Sequence, residues 1–85
     1  MQFYEGIEGP MEEPIYECIR VTKEMGLRLR QARENKGLTQ KQLADLVNAS
    51  QSQIDAYEHG GLNIAVDRLF ELSRILDVPM TDFFD

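Results

Sequence analysis

Cysteine is nearly absent from this 85-residue chain, where Cys18 stands alone. An internal disulfide is thereby excluded, and a lone thiol fits a reducing compartment, with packing as its simplest role. Histidine is equally scarce. One His (His59) and one Cys in a chain cannot assemble a tetrahedral metal set, so neither a metal nor another cofactor is expected. Long apolar runs are missing too, since none approaches the ~20 residues of a membrane span. The opening stretch MQFYEGIEGPMEEP is acidic where a secretory leader is basic and then apolar. A cytoplasmic protein with no membrane attachment is expected. The chain also lacks a Gly-rich phosphate loop, an acid pair with an evident pocket, and a nucleophile, base and orienting group at catalytic spacing. Its length allows one small domain plus a tail, not a cleft between two lobes, so enzyme activity is not expected.

Positive charge is outnumbered: nine Lys and Arg face fifteen Asp and Glu, for a net charge of -6. The excess is uneven. Residues 1–25 hold six acids and two bases, whereas residues 26–85 hold nine acids and seven bases. Within the second group, Arg28, Arg30, Arg33, Lys36 and Lys41 fall close together, so a basic edge on an acidic molecule is feasible. Residues 1–14 combine two prolines with four glutamates in irregular order, a composition that reads as an arm. Residues 15–22 (IYECIRVT) are ambiguous. Ile15, Ile19 and Thr22 share a helical face, yet Ile15, Glu17, Ile19 and Val21 alternate as in a strand. Helix is preferred, with Pro14 suited to its first turn. The other outcome is a strand that pairs across a dimer.

Helical signals dominate the remainder. Leu27, Leu29, Ala32 and Arg33 mark a helix over 23–35, closed by Gly37. Thr39 and Gln42 have the spacing of a capping box for a helix over 40–47. Its stripe is Leu43, Ala44, Leu46 and Val47, and Ala44 is small where a second helix must come close. Asn48 falls where the chain must turn in a left-handed conformation, and Ser50 can cap the next helix, 51–58. Ile54 and Tyr57 anchor that helix inward, which turns Gln51, Ser52, Asp55 and Ala56 outward. After the loop HGGLNIA, the positions Leu69, Phe70, Leu72, Ser73 and Leu76 describe an amphipathic helix over 66–76. Pro79 ends that run, and Thr81 caps a last turn containing Phe83 and Phe84.

Two short helices crossing at a tight turn form a helix-turn-helix. From about Gly26 to Phe84, the segments GLRLRQARENKGLTQ, SQSQI, YEHG and LFELSRILDVPMTDFF, together with Ala44, resemble the Xre-like family of phage Cro and C-repressor type. The resemblance implies an all-α, compact five-helix lambda-repressor-like domain over residues 26–85, preceded by an acidic N-terminal arm over residues 1–25. It implies a dimeric, sequence-specific transcriptional regulator, expected to be a repressor, whose partner is double-stranded DNA entered through the major groove. Base reading then falls on Gln51, Ser52, Asp55 and Ala56. Gln can bond adenine bidentately, Ser is permissive, Asp accepts from cytosine N4, and an Ala methyl packs on thymine.

Further roles follow from the same resemblance. Gln40 takes the place where the family touches a phosphate and braces the recognition helix, and Lys41, Arg30, Lys36 and His59 are further phosphate candidates. Arg33 and Glu58 are expected to form a structural ion pair within the domain. Met80, Phe83 and Phe84 are expected at a homodimer interface, or closing the core. A rival reading keeps the fold but makes it an antitoxin or adaptor, binding a protein partner through the acidic arm or the terminal apolar turn.

Overall fold

A computed structural model of the chain describes residues 17–84. The elements run β1 (Cys18–Arg20), α1 (Lys23–Asn35), α2 (Gln40–Leu46), α3 (Gln51–His59), β2 (Asn63–Ala65) and α4 (Val66–Leu76), then a 3-10 turn over Met80–Phe83. Side-chain caps start the first three helices. Thr22 accepts from the Met25 amide, and both Thr39 with Gln42 and Ser50 with Gln53 complete reciprocal capping boxes. Between α2 and α3 the chain reverses at Asn48, whose φ is 58°. The amide of Ala49 then donates back to the Ala44 carbonyl at 2.8 Å, which closes the turn.

Over Cys18–Arg20 the ambiguous segment is a strand rather than the preferred helix, and it pairs within its own chain. β1 and β2 run antiparallel with Cys18 opposite Ala65, Ile19 opposite Ile64 and Arg20 opposite Asn63. Flanking bonds extend the attachment: Val21 N–H to Leu62 O at 2.8 Å, Gly61 N–H to Val21 O at 2.6 Å, and Val66 N–H to Glu17 O at 2.9 Å. The stiff β-branched Ile19 and Val21 favour this extended form, and Val21 and Ile64 drop into the core as they do so. The all-α, five-helix expectation is corrected accordingly. Among the described residues there are four α-helices, one two-stranded sheet and a terminal 3-10 turn.

The packed unit also begins earlier than residue 26. β1 belongs to it, and Val21 and Met25 are core residues. The acidic arm, residues 1–14, lies outside the described residues.

Leu43, Ile54, Leu72, Ile64, Phe83 and Val47 are the innermost side chains, drawn from α2, its C-cap, α3, β2, α4 and the terminal turn. Helix α3 packs against both α1 and α2. Its approach to α1 depends on Gly26. A Cβ there would sit 2.7 Å from the Tyr57 carbonyl oxygen and overlap the Glu58 backbone. A glycine inside a helix costs roughly 1 kcal/mol of propensity, and here it permits the helices to touch backbone to backbone. Leu27, Leu46 and Phe70, expected on apolar stripes, are instead more than half exposed. Helix α4 stops at Asp77, which adopts the left-handed conformation with φ 61°, two residues before Pro79. Thr81 lies inside the final turn, which has no side-chain cap.

Candidate nucleic-acid interface

Helix α3 has two unlike faces. Ile54, Tyr57 and Glu58 are buried, whereas Gln51, Ser52 and Asp55 are exposed and Ala56 is half-buried. Gln51, Ser52 and Asp55 join Gln40 of α2 around an open cleft of about 360 Å³. All four side chains are polar, and three of them were expected to read bases. The cleft opens to solvent, so its polar groups can meet an edge presented from outside.

The inner face is locked by charge as well as by packing. Arg33 Nε and Nη2 donate to the two carboxylate oxygens of Glu58 at 2.5 and 3.1 Å, and Nη1 donates to the Leu38 carbonyl at 2.8 Å. Both residues are buried. This fork-on-fork pair joins α1 to the end of α3, as expected from the sequence. Its hydrogen bonds to the Glu58 carboxylate, opposed by burial, hold the Arg33 guanidinium above its ordinary pKa.

Gln40 extends this network outward. Its Nε2 donates to Glu58 Oε1 and to Asp55 Oδ1, each at 3.0 Å. Both acceptors are carboxylates, so the nitrogen end of the amide must face them and both of its hydrogens are committed. A phosphate contact by this amide requires surrendering one of those bonds.

The sequence-nominated cations are distributed unevenly. Arg30 and His59 line a groove of about 400 Å³, alongside Lys23, Leu27, Gln40 and Asp55, that runs between α1 and the end of α3. Lys41 and Lys36 line neither recess. Nearly every candidate has a carboxylate within reach: Arg30 with Glu34 at 3.1 Å, Lys41 with Asp45 at 3.8 Å, and Lys36 with Asp77 at 3.9 Å. His59 Nδ1 lies 2.8 Å from the Asp55 carbonyl oxygen and 3.6 Å from its Oδ2. Such exposed pairs are worth little and exchange readily for a phosphate. Lys23 was not nominated, yet among the described residues it makes no ion pair and it lines the same groove. Its spacing to Leu27 and Arg30, four and then three residues, places all three on one face of α1 and was legible in the sequence.

At the C-terminal end Phe83 takes the core-closing alternative rather than the dimer seam, because it is 1% exposed and spends its ring in its own core. Met80 is half-buried against that core, and Phe84 is exposed. Phe70 on α4 is exposed as well, with the Arg74 guanidinium 5.9 Å from its ring centre. No helix of the described residues is long and apolar enough to cross a membrane.

Comparison with known proteins agrees with this geometry. The profile of the helix-turn-helix family matches residues 29–83. An uncharacterized HTH-type transcriptional regulator of Sinorhizobium medicae (strain WSM419) is 34% identical over 61 residues, 72% of this chain and 44% of that protein. The chain spans about half the length of the curated relatives it matches. Among solved structures, the restriction-modification controller protein C.AhdI from Aeromonas hydrophila is 33% identical with a TM-score of 0.67, over 72% of this chain and 92% of that one. The biofilm master regulator SinR, solved in complex with DNA, is 27% identical with a TM-score of 0.66, over 72% of this chain and 98% of its own.

Proposed function

This chain belongs to the helix-turn-helix family, and from that premise we propose that it is a cytoplasmic transcriptional regulator that occupies operator DNA as a dimer and represses. The outer face of α3 carries the proposal: a rigidly held helix presents Gln51, Ser52 and Asp55 together on one open cleft. The names of its relatives and the DNA bound to SinR support the same reading. Phosphate neutralisation is assigned to Arg30, Lys23 and His59 along the groove, with Lys41 exposed at the start of α2 and Lys36 further off. Dimer formation is assigned to Phe84 with Met80 beside it, presenting half-sites about 34 Å apart.

Selection from randomised duplex DNA tests the reading. Wild-type protein should enrich a palindromic site, and the Gln51→Ala, Ser52→Ala double variant should not. A folded protein that enriches nothing refutes it.

One observation favours a second reading, that of an antitoxin-like or adaptor module. Apart from Lys23, the cations of α1 and α2 sit beside carboxylates, which blunts a basic face. Retention on heparin at low salt separates the two, because an adaptor without a basic face flows through.

A further inference from the structure

Resting on the DNA-binding reading, we propose that Gln40 positions Asp55 for base recognition, and that the pair makes one base pair of each half-site selective for cytosine. The relay begins in the core. Arg33 holds Glu58 through two bonds, Glu58 accepts from Gln40, and the second hydrogen of the same Gln40 nitrogen reaches Asp55 Oδ1 at 3.0 Å. Asp55 is thereby pinned from the side of α2 although its side chain is half exposed. On its other flank His59 Nδ1 is satisfied by the Asp55 carbonyl at 2.8 Å and stands 3.6 Å from Oδ2, too long for a hydrogen bond. Oδ2 therefore keeps its lone pairs for an incoming donor.

A carboxylate is acceptor-only, so the edge it meets must donate. In the major groove the donors are cytosine N4 and adenine N6. Guanine and thymine offer carbonyl oxygens at that place, which repel it. Adenine also carries the N7 acceptor beside its amino group, which opposes a carboxylate that approaches both atoms, whereas cytosine presents its amino group without that neighbour. Cytosine is the favoured base. An unrestrained aspartate would sweep its charge past phosphates and bases alike; a pinned one holds it at a single place, so discrimination depends on the pin.

The role differs from a phosphate contact in what it changes. A phosphate contact supports every sequence equally. A positioning contact changes preference at one base pair.

The experiment takes the site selected by the wild-type protein and measures affinity for all four bases at each position, for wild type, Asp55→Ala and Gln40→Met. Wild type should prefer cytosine by about tenfold at one position of each half-site, and Asp55→Ala should abolish that preference. Gln40→Met, which keeps the side chain's length and removes both donors, should lose most of the same preference at the same position. Thermal unfolding checks that the variant is folded, and Gln40→Ala repeats the measurement where methionine lowers the melting temperature. Uniform weakening across all bases, with the cytosine preference intact, makes Gln40 a phosphate contact and overturns the proposal. Unchanged discrimination in both Gln40 variants overturns it as well. Failure of the wild-type protein to select any site is a different result, because it removes the DNA-binding reading and this proposal with it.

Discussion

The two faces of α3 are built for opposite purposes. On the inner face, Ile54 has no exposed surface, Tyr57 closes over it, and the backbone of Tyr57 and Glu58 meets Gly26 with no side chain between. On the outer face, Gln51 and Ser52 are exposed, and Asp55 is held at one point by Gln40. One side of a nine-residue helix is thus fixed to within a methyl group while the other is exchangeable. Binding specificity can change on such a helix without changing the fold, because the residues proposed to read are not those that pack.

The largest test of this asymmetry is Gly26→Ala. The added methyl would meet backbone rather than a yielding side chain, so α1 and α3 must separate. The substitution should cost about 4 kcal/mol or more. In a domain of this size, thermal unfolding should then show the melting temperature falling by about 15 °C or more.

Arg33→Ala comes next, at about 3 kcal/mol, because Glu58 is left buried without its partner. Changing Arg33 and Glu58 together to apolar residues of similar volume should restore much of that loss. A double-mutant cycle checks this. The pH dependence follows from the raised Arg33 pKa. A group whose folded-state pKa is raised stabilises the fold at every pH below its unfolded value and loses that contribution only as pH climbs through the folded value. The difference in melting temperature between wild type and Arg33→Ala should therefore hold steady from about pH 7 to about pH 10.

On the outer face, the Gln51→Ala, Ser52→Ala variant should change stability by no more than about 0.5 kcal/mol while abolishing site selection. A large stability change in that variant would break the division between the faces.

Much of this architecture could be read from the chain because its signals are local. Thr39 with Gln42, the Ser50 cap, Ile54 with Tyr57, and Asn48 at the turn each act within four residues, and each does what its chemistry suggests. The misread features depend on distant partners. IYECIRVT could not declare itself a strand because its partner sits in HGGLNIA, a segment whose glycines read as a loop. Gly26 shows its role only where the backbone of α3 lies against it. Gln40 was singled out in the sequence, but only the two carboxylates arriving from α3 decide which way its amide points. Phe83 and Phe84 are neighbours in a short turn, where one ring must go in and the other out, and the sequence does not say which.

The β1–β2 ladder also bears on the order in which the molecule folds and opens. Ile19 and Ile64 face each other across 45 positions of chain, and the loop they close contains α1, α2 and α3. Closing such a loop is entropically costly until the enclosed helices have condensed, so the helix-turn-helix should form first and the ladder last. The same three short rungs should be the first to open under native conditions. In amide exchange, the strand protons should be replaced well before those of Leu43 and Ile54, which would separate a stable reading unit from a clasp that opens around it.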